Sequence, residues 1–316
     1  MSIYADQFDV LVTTTLDKIR PVLRDQISNE NALTAYLNMK SRVTIDGGTV
    51  IRRPLLVAFN DTVSSYSGYD LIDTTPQEGL GWAEFTWRQH AGSVTISGEE
   101  VKKNSGAAQL INLLQAKVDQ LKLSIADDMN AMLWAASAGN SGKDFDSVPL
   151  IVKSATAVGG IDPSTYTWWK SPVAASTVDL SDFDGIKTLN NLFNTVRLNR
   201  SKVDVEFTTQ AVFEAYEALA VPNVRFQNLK AADLGFETIA HKTAELIMDL
   251  DCPSAALYML NSDRLEFVQH ADSWVSPTDF VRPANQDAKV ALVLSMGNLI
   301  TDSRRSHAYA TGIVTA

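Results

Sequence analysis

The sequence predicts an α+β fold. Three observations carry this: strand-like alternation around a turn-rich tip over residues 43–97, a long apolar stripe of helical period directly after it, and a C-terminal third that mixes short strands with one clear helix but lacks regular βαβ spacing. A ribbon of roughly fifty residues cannot fold back on its own core, and a lone two-stranded ribbon is marginal in water. It is expected to lie on a neighbouring molecule.

The elements follow in order. Over residues 1–42, Phe8, Leu11, Val12, Thr15, Leu16 and Ile19 recur at helical spacing until Pro21, and Ala32, Leu33, Tyr36 and Leu37 mark a second short helix. Val43 and Ile45 alternate with polar residues up to the turn signal Asp46-Gly47-Gly48, and residues 50–57 continue as a strand that Pro54 places at an edge. Between Phe59 and Gly81, polar residues such as Asn60, Asp61, Ser64, Ser65, Gly68 and Asp73 read as a solvated tip, before residues 82–96 return as strand. Ser97-Gly98-Glu99-Glu100 matches a capping box that starts a helix. After a break at Asn104, Ser105 and Gly106, the residues Ile111, Leu114, Val118, Leu121, Ile125, Met129 and Met132 form one stripe over about eight turns. Residues 139–160 read as a glycine- and serine-rich loop, and Ser181 or Asp182 caps a helix over 181–197. Strands are expected at 203–207, 246–250, 256–260 and 289–294, with a helix over 209–219.

Composition bounds the function. A chain of 316 residues predicts about two domains, and its 45% hydrophobic content is enough for sizeable cores. The formal charge of −10 argues against tight nonspecific binding to nucleic acid, which depends on Lys and Arg neutralising phosphates. No run approaches the roughly eighteen apolar residues of a membrane span, and MSIYADQFDV has no secretory-signal pattern, so a soluble, cytosolic chain without a membrane partner is expected. Cys252 stands alone, which excludes an intrachain disulfide and any zinc site of paired cysteines; it reads as a small buried residue.

Candidate chemistry is sparse. His90, His241, His270 and His307 lack metal-binding spacing, and Gly142-Lys143 is followed by Asp144 where a phosphate loop needs Ser or Thr. Asp249 and Asp251 would raise the pKa of Cys252, the wrong direction for a nucleophile. The carboxylate pairs Asp127/Asp128, Asp182/Asp184 and Asp249/Asp251 read as caps and solvated faces, with calcium or acid-base roles as the sharper alternative. Trp82, Trp87, Trp168 and Trp169 suit an interface or core better than a sugar platform, and Arg52, Arg53, Arg304 and Arg305 suit bidentate pairing across a contact. No catalytic, cofactor or metal site is therefore assigned. The candidate inter-subunit contacts are Arg52, Arg53, Trp82, Phe85, Trp87, Arg304 and Arg305.

Taken together, the arm, the ribbon, the long helix and the mixed remainder resemble the tailed-bacteriophage major capsid protein family, with the Hong Kong 97-type fold. The segments GGTVIRRPL, VTISGEEVKKNSG, LIMDLDCPSAALYMLNSDRLEF and MGNLITDSRRSHAYATGI carry the likeness, which rests on their order across the whole chain. The resemblance implies an N-terminal helical arm (1–42), an E loop (43–97), a P domain with spine helix (98–175), an A domain (176–285) and C-terminal strands returning to the P domain (286–316). It implies a non-enzymatic subunit forming pentamers and hexamers of an icosahedral shell around double-stranded DNA, built in the host cytoplasm and resident in the virion. A portal protein and a separate scaffolding protein are the implied partners, the arm being short, and a decoration protein is a further one the family admits. Residues 43–101 hold no lysine, so the isopeptide crosslink of some members is expected to be absent. The alternatives are an encapsulin-type nanocompartment shell and, from another class, a hydrolase using Asp182 and Asp184 beside Trp168 and Trp169.

Overall fold

The computed structural model describes residues 31–103, 113–198, 202–220, 238–283 and 285–315. The helix expected before Pro21, the break at residues 104–106 and Ile111 lie outside the described residues. In chain order the elements are α1 (Ala32–Lys40), β1 (Arg42–Ile45), β2 (Ile51–Leu56), β3 (Leu80–Phe85), β4 (Arg88–Ser97), α2 (Gly98–Lys103) and α3 (Leu113–Trp134). They continue with α4 (Val148–Ile151), α5 (Phe183–Leu198), β5 (Val205–Thr208), α6 (Gln210–Ala220), β6 (Thr238–His241), β7 (Ala244–Met248), β8 (Ala256–Leu260), β9 (Leu265–His270), β10 (Ser276–Pro277), β11 (Ala288–Thr301) and β12 (Ala308–Thr311). Single helical turns lie at Thr167–Trp169 and Arg304–Ser306, and Gly139–Gly142 is a left-handed turn with Asn140 and Ser141 at positive φ.

The described chain divides into two compact units. The smaller comprises Ala91–Asp128 and Val275–Leu294; the larger comprises residues 31–90, Met129–Trp274 and residues 295–315. In the smaller unit the capping box forms as its residues require. Glu100 N–H donates to Ser97 Oγ at 3.1 Å, and Ser97 N–H donates to the Glu100 carboxylate at 3.0 Å. Here α3 lies directly on β4: a side chain at Gly92 would meet Leu121 at 2.6 Å, and Val94, Ile96 and Ile125 are buried.

The larger unit centres on a five-stranded sheet of order β12-β8-β5-β7-β6. Its middle strands β5 and β8 are buried at every residue, which requires cover on both faces. One face carries α5 and α6 through Leu189, Phe193, Val196, Val212 and Phe213. The other carries Tyr36 of α1 and Trp134 of α3, whose rings meet Phe207 edge-on at 5.8 and 5.9 Å. The pairing of β5 with β7 is parallel, so α6 belongs to one crossover of the kind the sequence spacing did not suggest. β1 pairs in parallel with β9, and β9 pairs antiparallel with the end of β11.

Buried polar groups tie these layers. Asn130 on α3 is fully buried; its amide donates to Asp249 and Asp251, while its oxygen accepts from Thr34 N–H and Oγ1–H on α1. Asp249 also accepts from Leu33 N–H at 2.9 Å, although burial still raises its carboxyl above the ordinary range. Burial, and then the charge of Asp249, push the Cys252 thiol far up, leaving it an inert core residue. Residues 139–160, expected as one loop, contain α4 with Ser147 as its cap and the buried Phe145, Val148, Ile151 and Val152.

His307 is fully buried and neutral by geometry. Its Nδ1 accepts from Asn261 N–H at 3.2 Å, and its Nε2 lies 3.1 Å from Thr301 Oγ1, whose own proton goes to Arg264 O. Burial pushes its pKa down to about 3. The unfolded chain protonates this residue near pH 6.5 and the folded chain does not, so its contribution is complete above about 6.5 and is lost as pH falls. Urea titrations are expected to lose up to about 1.4 kcal/mol per pH unit from this group below pH 6.5, and His307→Gln is expected to remove that part of the slope while lowering stability at pH 7.

Candidate assembly interface

The ribbon pairs β2 with β3 in antiparallel register from Ile51↔Phe85 to Leu56↔Leu80. Strand geometry sends alternate pairs to opposite faces. Ile51, Leu55, Ala83 and Phe85 point inward and are buried, and Glu84 N–H donates to Gly159 O at 3.0 Å. Gly159 fits there because a side chain would meet Ala83 Cβ at 2.9 Å. The opposite face holds Arg52↔Glu84, Pro54↔Trp82 and Leu56↔Leu80, so its outer two thirds is apolar and open.

Two arginines next to each other in sequence have different roles. Arg53 Nε–H donates to Glu266 at 2.6 Å, with both side chains about three-quarters buried, and fastens the ribbon to β9. Arg52 pairs with Glu84 at 2.8 Å on the solvent face and sits 6.0 Å over the Trp82 ring. An exposed cross-strand pair of this kind contributes less than about 1 kcal/mol. At the ribbon root, Trp87 donates its indole N–H to Gly48 O at 2.8 Å and meets the His270 ring edge-on.

The two-stranded part is shorter than the sequence suggested. β1 and β4, which the alternation joined to the same hairpin, pair with β9 and β11. Beyond Val57 and Ala58, whose N–H groups donate to Gly79 O, no ladder continues, and local turns hold the tip: Thr62 on Asn60, Ser67 on Asp70 and Thr75 on Asp73. The Thr75 hydroxyl and amide hold the Asp73 carboxyl below its ordinary range. Within this tip Phe59, Val63, Tyr66, Tyr69, Leu71 and Ile72 are all exposed, Tyr69 and Leu71 completely. Reading the segment as merely solvated missed them, because its Ser, Asp and Gly residues dominate the composition. The available signal was six large apolar side chains with no helical or strand period to bury them.

Of the candidate contacts, Arg52, Arg53, Trp82, Phe85 and Trp87 share the ribbon, with Trp82 open and Phe85 buried within the chain. Arg305 is exposed at a cleft of about 390 Å³ beside the outer end of β2, lined also by Leu56, Val57, Phe59, Trp168 and Arg264, the last paired with Asp302 at 2.8 Å. Arg304 is a correction. It is 0% exposed and spends its guanidinium on the carbonyls of Ile151, Thr156 and Lys153, so no donor reaches a neighbour. Burial pulls its pKa down to about 10, which leaves it charged at pH 7.

The carboxylate and tryptophan pairs do not converge. Asp182 accepts from Phe183 N–H at the start of α5, Asp184 lines a separate cleft, and Trp168 and Trp169 line the one at the outer end of β2. Among the described residues no three His, Cys, Asp or Glu side chains form a metal-binding group, and no helix is long and apolar enough to cross a membrane. His241 instead faces Glu206 at 2.8 Å inside the sheet core.

No protein-family model matches the sequence, and no curated protein sequence matches it. Solved structures do. The capsid subunit of cyanophage A-1(L) superimposes with a TM-score of 0.74 at 15% identity, covering 94% of this chain and 96% of that one. The chain has the Hong Kong 97-type capsid fold. The holo-SrpI encapsulin of Synechococcus elongatus shares this capsid fold with a TM-score of 0.63 at 9% identity, over 100% of this chain and 96% of its own. The capsid of the myovirus XM1 gives 0.60 at 11% identity, over 95% and 98%. A capsid fold kept at such low identity is held by topology and burial pattern rather than by particular side chains.

Arg53→Ala is expected to loosen the ribbon by about 1–3 kcal/mol, because Glu266 loses its partner while about three-quarters buried. Hydrogen exchange should accelerate in β2 and β3, whereas Arg52→Ala should leave exchange in the isolated subunit nearly unchanged.

Proposed function

We propose that this chain is the repeating subunit of a closed shell: a major capsid protein that assembles into pentamers and hexamers of an icosahedral tailed-phage head around double-stranded DNA. The observation that carries the reading is the apolar outer face of the ribbon and tip. Soluble monomers rarely leave so many contiguous apolar side chains open unless a partner covers them. At about 25 cal/mol per Å², each 200 Å² of apolar area covered on a neighbour is worth about 5 kcal/mol before association entropy is subtracted. Repeated around a ring, modest contacts of this size close a shell.

In this reading residues 1–42 are the arm, 43–97 the E loop, 98–175 the P domain with α3 as spine, 176–285 the A domain, and 286–316 the returning strands. The role is structural, and the exposed members of the ribbon, Arg52 and Trp82, with Arg305 beside the outer end of β2, are the contact residues. The acidic chain fits a wall that encloses DNA without gripping it. Portal and scaffolding proteins are the expected partners, with assembly in the host cytoplasm.

An encapsulin-type shell is the second reading, supported by the match to the SrpI encapsulin over the full chain. Electron microscopy of purified particles with analysis of nuclease-protected contents separates the two: protected DNA supports the phage head, a protein cargo the encapsulin.

Deleting residues 60–79 is expected to leave a soluble subunit with unchanged circular dichroism that forms no ordered particles. Wild-type yields of particles from that variant would refute the role of the ribbon. Trp82→Ser combined with Leu80→Ser should lower particle yield by at least ten-fold, read by light scattering.

A further inference from the structure

Two steps of the sequence put an aspartate directly before a glycine, Asp46-Gly47 and Asp184-Gly185. A glycine has no Cβ to shield its nitrogen, so that nitrogen can close a five-membered ring on the preceding aspartate's carboxyl carbon wherever the backbone between them is free to turn. The fold treats the two steps in opposite ways. Asp184 lies in the first turn of α5, where a helical ψ of about −42° keeps the next nitrogen from swinging over Cγ. Gly185 N–H also donates to Asp182 O at 3.2 Å, and a side chain at Gly185 would strike Asp179 O, so the segment is packed too closely to move.

Asp46 and Gly47 carry none of these restraints. They follow β1 outside any helix or strand, both are exposed, and among the described residues nothing bonds the Asp46 carboxyl or the Gly47 N–H. Gly47 and Gly48 stand at φ of 144° and 120°, which only glycine adopts readily, and the nearest atom to a side chain built at Gly47 is His270 Nε2 at 4.0 Å. This link joins β1, paired with β9 in the body, to β2 in the ribbon, and it is pinned where Trp87 donates its indole N–H to Gly48 O at 2.8 Å.

We propose that Asp46-Gly47 is a site of spontaneous backbone rearrangement that unpins the ribbon root. The Gly47 nitrogen loses its proton and attacks Asp46 Cγ, the carboxyl hydroxyl leaves with that proton as water, and a cyclic imide forms. Water then adds to the ring carbonyl on the Cα side and the bond from that carbonyl to nitrogen breaks, so the chain runs through the Asp46 side chain as an isoaspartyl linkage; addition at the other carbonyl restores aspartate. One water leaves and one returns, nothing is oxidised or reduced, and the mass is unchanged. The main chain grows by one carbon–carbon bond of about 1.5 Å, directly before the glycine whose carbonyl Trp87 holds. This is a property of the single subunit and does not depend on the shell reading.

The test ages the full-length chain at physiological temperature in mildly acid buffer, digests it with trypsin, and separates peptides 43–52 and 171–187, each holding one Asp-Gly step, by reverse-phase chromatography with mass detection. The expected result is a second peak of identical mass from peptide 43–52 that an isoaspartyl carboxyl methyltransferase labels, at least about ten-fold more abundant than any from peptide 171–187. A single peak from 43–52, or equal splitting of both peptides, would overturn the proposal. Asp46→Glu, which would have to close a six-membered ring, is expected to keep one peak. In hydrogen exchange, residues 51–56 of the aged chain should exchange at least about three-fold faster than in the fresh chain, with no change on ageing the Asp46→Glu variant. Equal exchange before and after ageing would overturn the unpinning of the root.

Discussion

A two-stranded ribbon can bury only one of its faces on the body that carries it, and that limit governs this molecule. The inner face of β2 and β3 is spent on Ile51, Leu55, Ala83 and Phe85, and Gly159 is kept bare so that they can approach. Among the described residues nothing covers the outer face, which is apolar at Pro54, Trp82, Leu56 and Leu80. Everything proposed about assembly follows from that imbalance, because the missing cover has to come from another molecule.

The body is built to hold the ribbon root still. Arg53 reaches Glu266 on β9, and Trp87 is pinned to Gly48 O. Next in sequence to Arg305, Arg304 closes three carbonyls of the α4 region, and His307 bridges Asn261 and Thr301 as a neutral ring. Arg304 and His307 are fully buried and hydrogen-bonded. Each would be expensive to disturb, so the rigid part of the chain ends where the ladder ends, at Leu56 and Leu80.

Much of the fold was legible in the residues because local rules and global packing agree there. The capping box at Ser97, the start of α5 after Asp182, and the strands at 205–208 and 256–260 follow from short-range chemistry that burial reinforces. What was not legible depends on partners distant in sequence. The alternation at 43–45 and 88–97 states that these are strands but not that they pair with β9 and β11. The strand expected at 289–294 runs on to Thr301 in β11, and at Gly297 a side chain would strike Val268 O at 2.4 Å, so glycine is what lets the strands meet. Arg304 and Arg305 are indistinguishable in sequence, and only the main-chain carbonyls around one of them decide which is buried.

The way residues 57–79 are held has its own consequence. Asn60, Asp70 and Asp73 each close a loop spanning no more than three residues, so bending the segment between these knots breaks none of them. In the proposed shell, a surface tiled by five- and six-membered rings would confront one polypeptide with neighbours at unequal dihedral angles. A tip knotted locally and unlatticed in between can follow both curvatures with the same hydrogen bonds, which a continuous ladder could not do without losing register.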